Sequence, residues 1–363
     1  MGFIETEERR VMEMEELKRM LVACAGFSRR KDDDKFKDLR LPSTEMDEDG
    51  GRNKVVCVTS GVSFLGLAVV NCLLRRRYSV KIIVNTEEDM EKLRELETCG
   101  EMRASNSSIK AVMANLTEIE SLMEAFEGCR GVFHTSAFAD PAGLSGYTKT
   151  MAEIEVRASE NVMMACSRTP SVRHCVLTSS LLACIWRDGM KQDFSPVINH
   201  ESWSDESLCT DKKLWHALGK LRAEKAAWRI AKEKGLKLAT ICPGLITGPD
   251  FFNRNPTATI AYLKGAQEMF AHGLLATIDV MKVAEAHVCV FEAMKTTAFG
   301  RYIYYDSMIE SEEKAEKLAA MVRMPVSKIC GNASGYVPAR FQISNEKILN
   351  LMSRTLRTCY NQS

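Results

Sequence analysis

From Lys54 onward the chain alternates short, unbroken apolar runs with longer stretches whose apolar residues recur at helical spacing. Val55-Val56-Cys57-Val58-Thr59 has the length and character of a strand covered on both faces. A small-residue turn follows at Ser60-Gly61-Val62-Ser63. Leu65, Val69, Leu73 and Leu74 then keep helical spacing as far as Arg77, and Val80-Lys81-Ile82-Ile83-Val84 reads as a second strand. Strand, tight turn, helix and strand within about 30 residues make a βαβ unit. The same alternation predicts helices over 87–97, 118–126, 150–167 and 213–234, and strands over 109–113, 131–134, 174–178 and 236–242.

This order predicts an α/β protein with a doubly wound parallel sheet, the Rossmann fold, in which ligands bind beyond the carboxyl ends of the strands. Past Pro249 the alternation weakens, as expected of a smaller C-terminal substrate lobe. Three regions follow: a charged N-terminal extension over 1–52, a dinucleotide-binding core over 53–250, and a mainly substrate-covering lobe over 251–363 with elements returning to the core. In the extension, Val11, Met14, Leu17 and Leu21 fall at helical spacing, and a solvated linker runs to Gly50-Gly51. A helix that binds a protein partner and a loose charged extension both account for that pattern.

Composition narrows the function classes. The 363 residues carry a net charge of +1 and are 45% hydrophobic, which favours neither nucleic acid nor an anionic membrane surface. No run of about 18 apolar residues occurs, so no membrane span is expected. Glu5, Glu7 and Glu8 argue against an organellar transit peptide, and the cytosol is the default compartment. The 13 cysteines are scattered without a CxxC pair. That spacing suits neither zinc nor a disulfide framework, so no metal is expected and most thiols read as small buried hydrophobes.

The turn Thr59-Ser60-Gly61-Val62-Ser63-Phe64-Leu65-Gly66 lies where a dinucleotide's pyrophosphate would meet helix N-terminal amides. By its two glycines alone it reads equally well as a merely tight strand-to-helix turn.

Six blocks, in order, resemble the extended short-chain dehydrogenases/reductases of the plant dihydroflavonol reductase/cinnamoyl-CoA reductase family, with the cinnamoyl-CoA reductase-like branch most similar. They are Gly131-Val132-Phe133-His134, Val176-Leu177-Thr178-Ser179-Ser180, Glu201-Ser202-Trp203-Ser204-Asp205, Ala223-Glu224-Lys225-Ala226-Ala227-Trp228, Cys242-Pro243-Gly244-Leu245-Ile246-Thr247-Gly248-Pro249, and Asp279-Val280 with Val283-Ala284-Glu285-Ala286-His287. The similarity runs from about Val55 to Leu351. It implies a cofactor site that includes Ser60, Gly61, Ser63, Phe64, Leu65, Gly66, Asn85, Asn115, Leu116, Lys220 and Pro243, holding NADP(H) or, second, NAD.

Laid on the family's Thr-Gly-x-x-Gly-Phe-(Ile/Leu)-Gly turn, this chain has Ser60 and Ser63 at the first two glycine positions and keeps Gly66. Ser63 is expected to set a side chain against the phosphate or to donate its hydroxyl to it. Asn85 stands at the family's arginine position and neither repels nor clamps a 2′-phosphate, while Lys92 and Arg94 lie further along the helix.

The resemblance also implies a catalytic set. A family reductase uses a tyrosine as proton donor, a lysine four residues later, and a serine hydroxyl on the substrate carbonyl. Here Ser180 and Lys220 keep their positions, and His216 replaces the tyrosine. Imidazole reaches less far than phenol, and Lys220 with an oxidised nicotinamide is expected to lower its pKa. The family's Asn-Trp-Tyr-Cys-Tyr signature is not reproduced, so specificity for a CoA thioester is not supported. His134 reads as packed, Pro243 and Thr247 as nicotinamide neighbours, and Phe251, Phe252, Tyr262 and Phe270 as core or pocket aromatics. Two functions remain open: an oxidoreductase on a phenylpropanoid-type carbonyl, and a nucleotide-binding or regulatory relative without turnover.

Overall fold

The computed structural model describes residues 54–102, 109–135, 147–187, 196–331 and 340–360, the side chains of 355–360 excepted. The N-terminal extension, with its candidate partner-binding helix, lies outside the described residues. Seven strands form the main sheet: β1 (Val55–Val58), β2 (Ser79–Val84), β3 (Ile109–Met113), β4 (Gly131–His134), β5 (His174–Thr178), β6 (Lys237–Pro243) and β7 (Gly300–Tyr304). Their spatial order is β7-β6-β5-β4-β1-β2-β3, and every neighbouring pair is parallel. The chain winds outward from β1 to β3, then crosses back to β4 and builds the other half. The order reverses between β1 and β4, which opens a crevice at the carboxyl ends of those strands.

Parallel neighbours need long crossovers, and helices supply them. The main ones are α1 (Phe64–Arg75), α2 (Glu87–Thr98), α3 (Ile119–Phe126), α4 (Lys149–Arg168), α5 (Trp215–Lys234) and α6 (Val280–Ala293). The period-two alternation of β1 divides the core between them. Val56 and Val58 join the layer of α1 and α6, while Cys57 joins the layer of α3, α4 and α5. Both faces of the strand are therefore buried, as its unbroken apolar run predicts. Ten of the eleven described cysteines are buried and all are free thiols, Cys57, Cys166 and Cys175 packing together in the second layer.

Beyond Pro249 the chain forms a smaller lobe of short helices, whose three-stranded sheet joins Ala276–Asp279 and Ser307–Met308 to Leu245–Thr247, just before Pro249. It then returns to the core through α6, which packs on α1, and through β7, the sheet's outer strand. Among the described residues no helix is long and apolar enough to cross a membrane.

A buried ion pair ties the returning strand to the site side of the sheet. Arg301 on β7 donates from Nε to Glu224 Oε1 at 2.8 Å, and Nη2 reaches Oε2 at 3.2 Å. Ser179, just past β5, and Thr240 on β6 donate their hydroxyls to the same carboxylate. The guanidinium also donates to the carbonyls of His200 and Ser202 and stacks 3.5 Å from the ring of Trp203. Both partners are almost wholly removed from water, so removing one strands the other. Arg301→Met should cost about 3–5 kcal/mol, read as a lowered urea midpoint at pH 7; a loss under about 1 kcal/mol would show that the pair contributes little.

Candidate active site

The first turn is shaped by close backbone approach. A Cβ at Gly66 would sit 1.8 Å from the Ser60 carbonyl oxygen, and one at Gly61 would meet the Ile82 side chain at 2.6 Å. Neither position admits a larger residue without movement. Ser63 is the N-cap of α1. Its hydroxyl donates to the Ser60 carbonyl at 2.7 Å and accepts from the Gly66 amide at 3.1 Å. To donate to a phosphate this hydroxyl would have to leave the Ser60 carbonyl, to which its proton is given within the loop. What the turn presents to the cleft is the positive end of α1, with Ser63, Phe64 and Leu65 in the wall.

The carboxyl ends of β4, β5 and β6 supply the floor. Ser180 follows β5 and is held by Leu181, whose amide donates to the Pro243 carbonyl at the end of β6. The Ser180 oxygen accepts from the Leu182 amide at 3.2 Å, which leaves the hydroxyl proton to be directed elsewhere. Ser204 fastens the following turn, donating to the Leu182 carbonyl and accepting from the Trp186 amide. Thr178 lines the cleft and bonds His287 Nε2 at 2.7 Å, while Nδ1 of that ring lies 2.7 Å from the Val283 carbonyl. A carbonyl only accepts, so Nδ1 carries the proton and Nε2 accepts from Thr178. His134 is fully buried with Nδ1 3.0 Å from Thr59 Oγ1, a packed residue as its strand position predicts.

Helix α5 brings in the rest. His216, Lys220 and Glu224 are spaced i, i+4, i+8 and all face inward. Lys220 Nζ lies 2.6 Å from Glu155 Oε1 on α4, and the Tyr147 hydroxyl donates to the other oxygen of that carboxylate. The Tyr147 ring meets His216 edge-on with centroids 4.7 Å apart. Gly219 permits this meeting: a Cβ there would stand 2.9 Å from the Tyr147 hydroxyl and 3.1 Å from Ala152 on α4.

Sequence reasoning missed Glu155 and Tyr147. A signal for the first was available, since Glu155 sits in the helical stripe of Ala152, Ser159, Val162 and Cys166 that faces the core. Nothing local marks Tyr147.

Electrostatics follow from burial and this pair. Lys220, then His216, hold the Glu155 carboxyl below its ordinary range against the cost of burial. Burial pushes His216 down to about 4, with Glu155 opposing and Lys220 adding. The direction matches the expectation, but burial rather than Lys220 is the main cause. His216 is thus a neutral imidazole at pH 7, and its buried Nδ1 has no hydrogen-bond partner among the described residues.

Ser63, Phe64, Leu65, Ser180, His216, Lys220 and Pro243 therefore share one cleft with Thr135, Glu155 and Tyr262. Other expected cofactor residues are not brought into its wall. Asn85 follows β2, exposed, with its backbone N–H donating to the Asp89 carboxylate. Asn115 spends its side chain on a local turn with Thr117 and Glu118, and Leu116 is packed into the core. Phe251 and Phe252 are core, and Phe270 packs against it, which leaves Tyr262 as the one of these four aromatics in the cleft wall. The cleft itself suits a dinucleotide: the α1 terminus faces it, and Thr135 Oγ1 and His216 Nδ1 are buried polar atoms there without partners among the described residues. The acids Glu87, Glu88 and Asp89 in the first turn of α2 suit ribose hydroxyls better than a 2′-phosphate. Among the described residues no cluster of metal-ligating side chains occurs.

Residues 57–307 match the model of the 3-beta hydroxysteroid dehydrogenase/isomerase family. The chain belongs to this family. The chain is 33% identical over 304 residues to cinnamoyl-CoA reductase 1 of Petunia hybrida, covering 82% of this chain and 86% of that one. It is 32% identical over 291 residues to tetraketide alpha-pyrone reductase 1 of Arabidopsis thaliana, covering 78% and 85%. This places it among the extended short-chain dehydrogenases/reductases related to plant cinnamoyl-CoA reductases. Two solved structures share the fold: alfalfa vestitone reductase, with TM-score 0.58, 22% identity and 82% and 91% of the two chains covered, and yeast Gre2 in complex with NADPH, with 0.62, 21%, 82% and 93%.

In this family member, His134, His216 and His287 are all pushed down to about 4 by burial. An unfolded histidine titrates near 6.5, so between pH about 6.5 and 4 the unfolded chain binds more protons. Their stabilisation is complete above that window and is lost as pH falls through it. Urea midpoints should decline steadily from pH 6.5 downward; a flat profile to pH about 4.5 would contradict neutral buried rings.

Proposed function

We propose that this protein is an NADP(H)-dependent oxidoreductase acting on the carbonyl of a phenylpropanoid-type small molecule (an aldehyde, ketone or thioester), with His216 in the place of the family's tyrosine. The observation that carries the reading is the meeting of Ser180, His216, Lys220 and the α1 N-terminus in one cleft at the carboxyl ends of the strands. The names of the relatives support it, since they are reductases of cinnamoyl-CoA and of tetraketide pyrones. Gre2, which shares the fold, holds NADPH. NADP(H) is preferred on that kinship, while the acidic start of α2 keeps NAD as the competitor.

The bound dinucleotide supplies the hydride. The chain's own residues do the rest. Ser180 accepts from the Leu182 amide and so directs its proton to a carbonyl oxygen, stabilising the charge that develops there. His216, neutral at pH 7, donates a hydrogen bond through whichever ring nitrogen is protonated; Nδ1 is the nitrogen without a partner among the described residues. A bound water delivers the proton to the carbonyl oxygen and leaves as hydroxide to be neutralised from solvent, since loss of the ring proton itself would leave an imidazolate. Lys220 would offer its ammonium to the ribose hydroxyls, and the positive end of α1 would hold the pyrophosphate.

Two observations favour a second reading, a nucleotide-binding protein without turnover. His216 is pushed well below neutrality, and Lys220 is held by a carboxylate. Purified protein should oxidise NADPH with a hydroxycinnamoyl aldehyde or thioester. Ser180→Ala should lower kcat/KM on the order of 10²-fold. His216→Ala should abolish turnover while NADPH fluorescence still reports binding. Binding without turnover across a broad carbonyl panel, together with activity gained by His216→Tyr, would establish the second reading instead.

A further inference from the structure

We infer that Glu155 sets how tightly this site holds a dinucleotide, because its carboxylate occupies the Lys220 ammonium on which the ribose would draw. The inference rests on the reading of Lys220 as the ribose-binding lysine. The contact is short, 2.6 Å, and both side chains are nearly closed off from water, at 10% and 2% exposure. Tyr147 fixes the carboxylate from a second direction, and the absence of a side chain at Gly219 lets α4 lie close enough for the pair to form.

Packing gives no reason for a carboxylate at this place. Its neighbours on the buried stripe of α4 are Ala152, Ala158, Ser159 and Val162, small or apolar residues, and an unpaired carboxylate among them would be strongly disfavoured. Glu155 is tolerated because Lys220 and Tyr147 bind it, and Lys220 is correspondingly engaged. A ribose hydroxyl that takes Lys220 must share it or displace the carboxylate. Displacement leaves a buried charge without its partner. The same carboxylate adds negative charge to a cleft that is to receive a polyanion. Glu155 acts through Lys220 and is a positioning residue.

The test is NADPH binding to the full-length protein, followed by fluorescence, in wild type, Glu155→Gln, Lys220→Met and the double variant. In Glu155→Gln the amide oxygen still accepts from Tyr147, while the charge and the acceptor that faces Lys220 are both removed. Glu155→Gln should bind NADPH about ten-fold tighter than wild type. Lys220→Met should bind more weakly, and the gain should vanish in the double variant, a coupling that a merely structural role would not produce. If Lys220→Met weakens binding while Glu155→Gln binds no tighter than wild type, the inference falls and the ribose reading of Lys220 stands. If Lys220→Met binds as wild type does, that reading falls and the inference with it. Binding by Glu155→Gln where wild type shows none is the strongest form of the expected result; binding by neither overturns both. Should Glu155→Gln fail to fold, Glu155→Asp keeps the charge but withdraws it from Lys220, and unchanged or weaker NADPH binding would overturn the inference.

Discussion

A charge taken out of water must find a partner, and α5 carries two such charges on its inward face. Lys220 is met by Glu155 of α4, and Glu224 by Arg301 of β7. The helix is thereby pinned to a neighbouring helix and, one turn further on, to an outer strand of the sheet. Such pairs add little net stability over a well-packed apolar core, yet they are costly to break singly. Their effect is to fix one arrangement of α4, α5 and β7. His216, one turn before Lys220, inherits its position from that arrangement and its neutrality from burial.

The cleft is the consequence. The switch of strand order between β1 and β4 opens a crevice, and every element bordering it ends there. The α1 terminus contributes its dipole, the ends of β5 and β6 contribute Ser180 and Pro243, and α5 contributes His216 and Lys220. Two features mark this site. The side chain one helical turn before Lys220 is the imidazole of His216, and Lys220 itself is engaged by Glu155. The nearby phenol of Tyr147 is held elsewhere: burial, and then the adjacent Glu155 carboxylate, raise its pKa well above the ordinary tyrosine value. It therefore serves to hold Glu155 in place and is a poor proton donor.

The phosphate-binding turn shows how a departure from a motif can be absorbed. Ser63 enters a position where glycine is expected, but it folds its hydroxyl back onto Ser60 and Gly66 and becomes a helix cap. Asn115 shows a side chain spent locally. Its side chain is drawn into a turn with Thr117, a preference that asparagine has wherever the backbone two residues on is within reach.

Periodicity in the sequence determined the alternation of strands and helices, because the two periods follow from local backbone geometry and each element buries its own stripe. Ordered blocks of residues likewise determined that Ser180, His216 and Lys220 belong together. Only the tertiary structure decided what those residues face. The engagement of Lys220 by Glu155, the edge-on contact of Tyr147 with His216 and the return of β7 with Arg301 all join residues far apart in the chain. Such contacts depend on how closely two helices pack, and here that distance is set by the missing side chain of Gly219. A local pattern can mark Glu155 as buried, but which cation neutralises it is settled only when the helices meet.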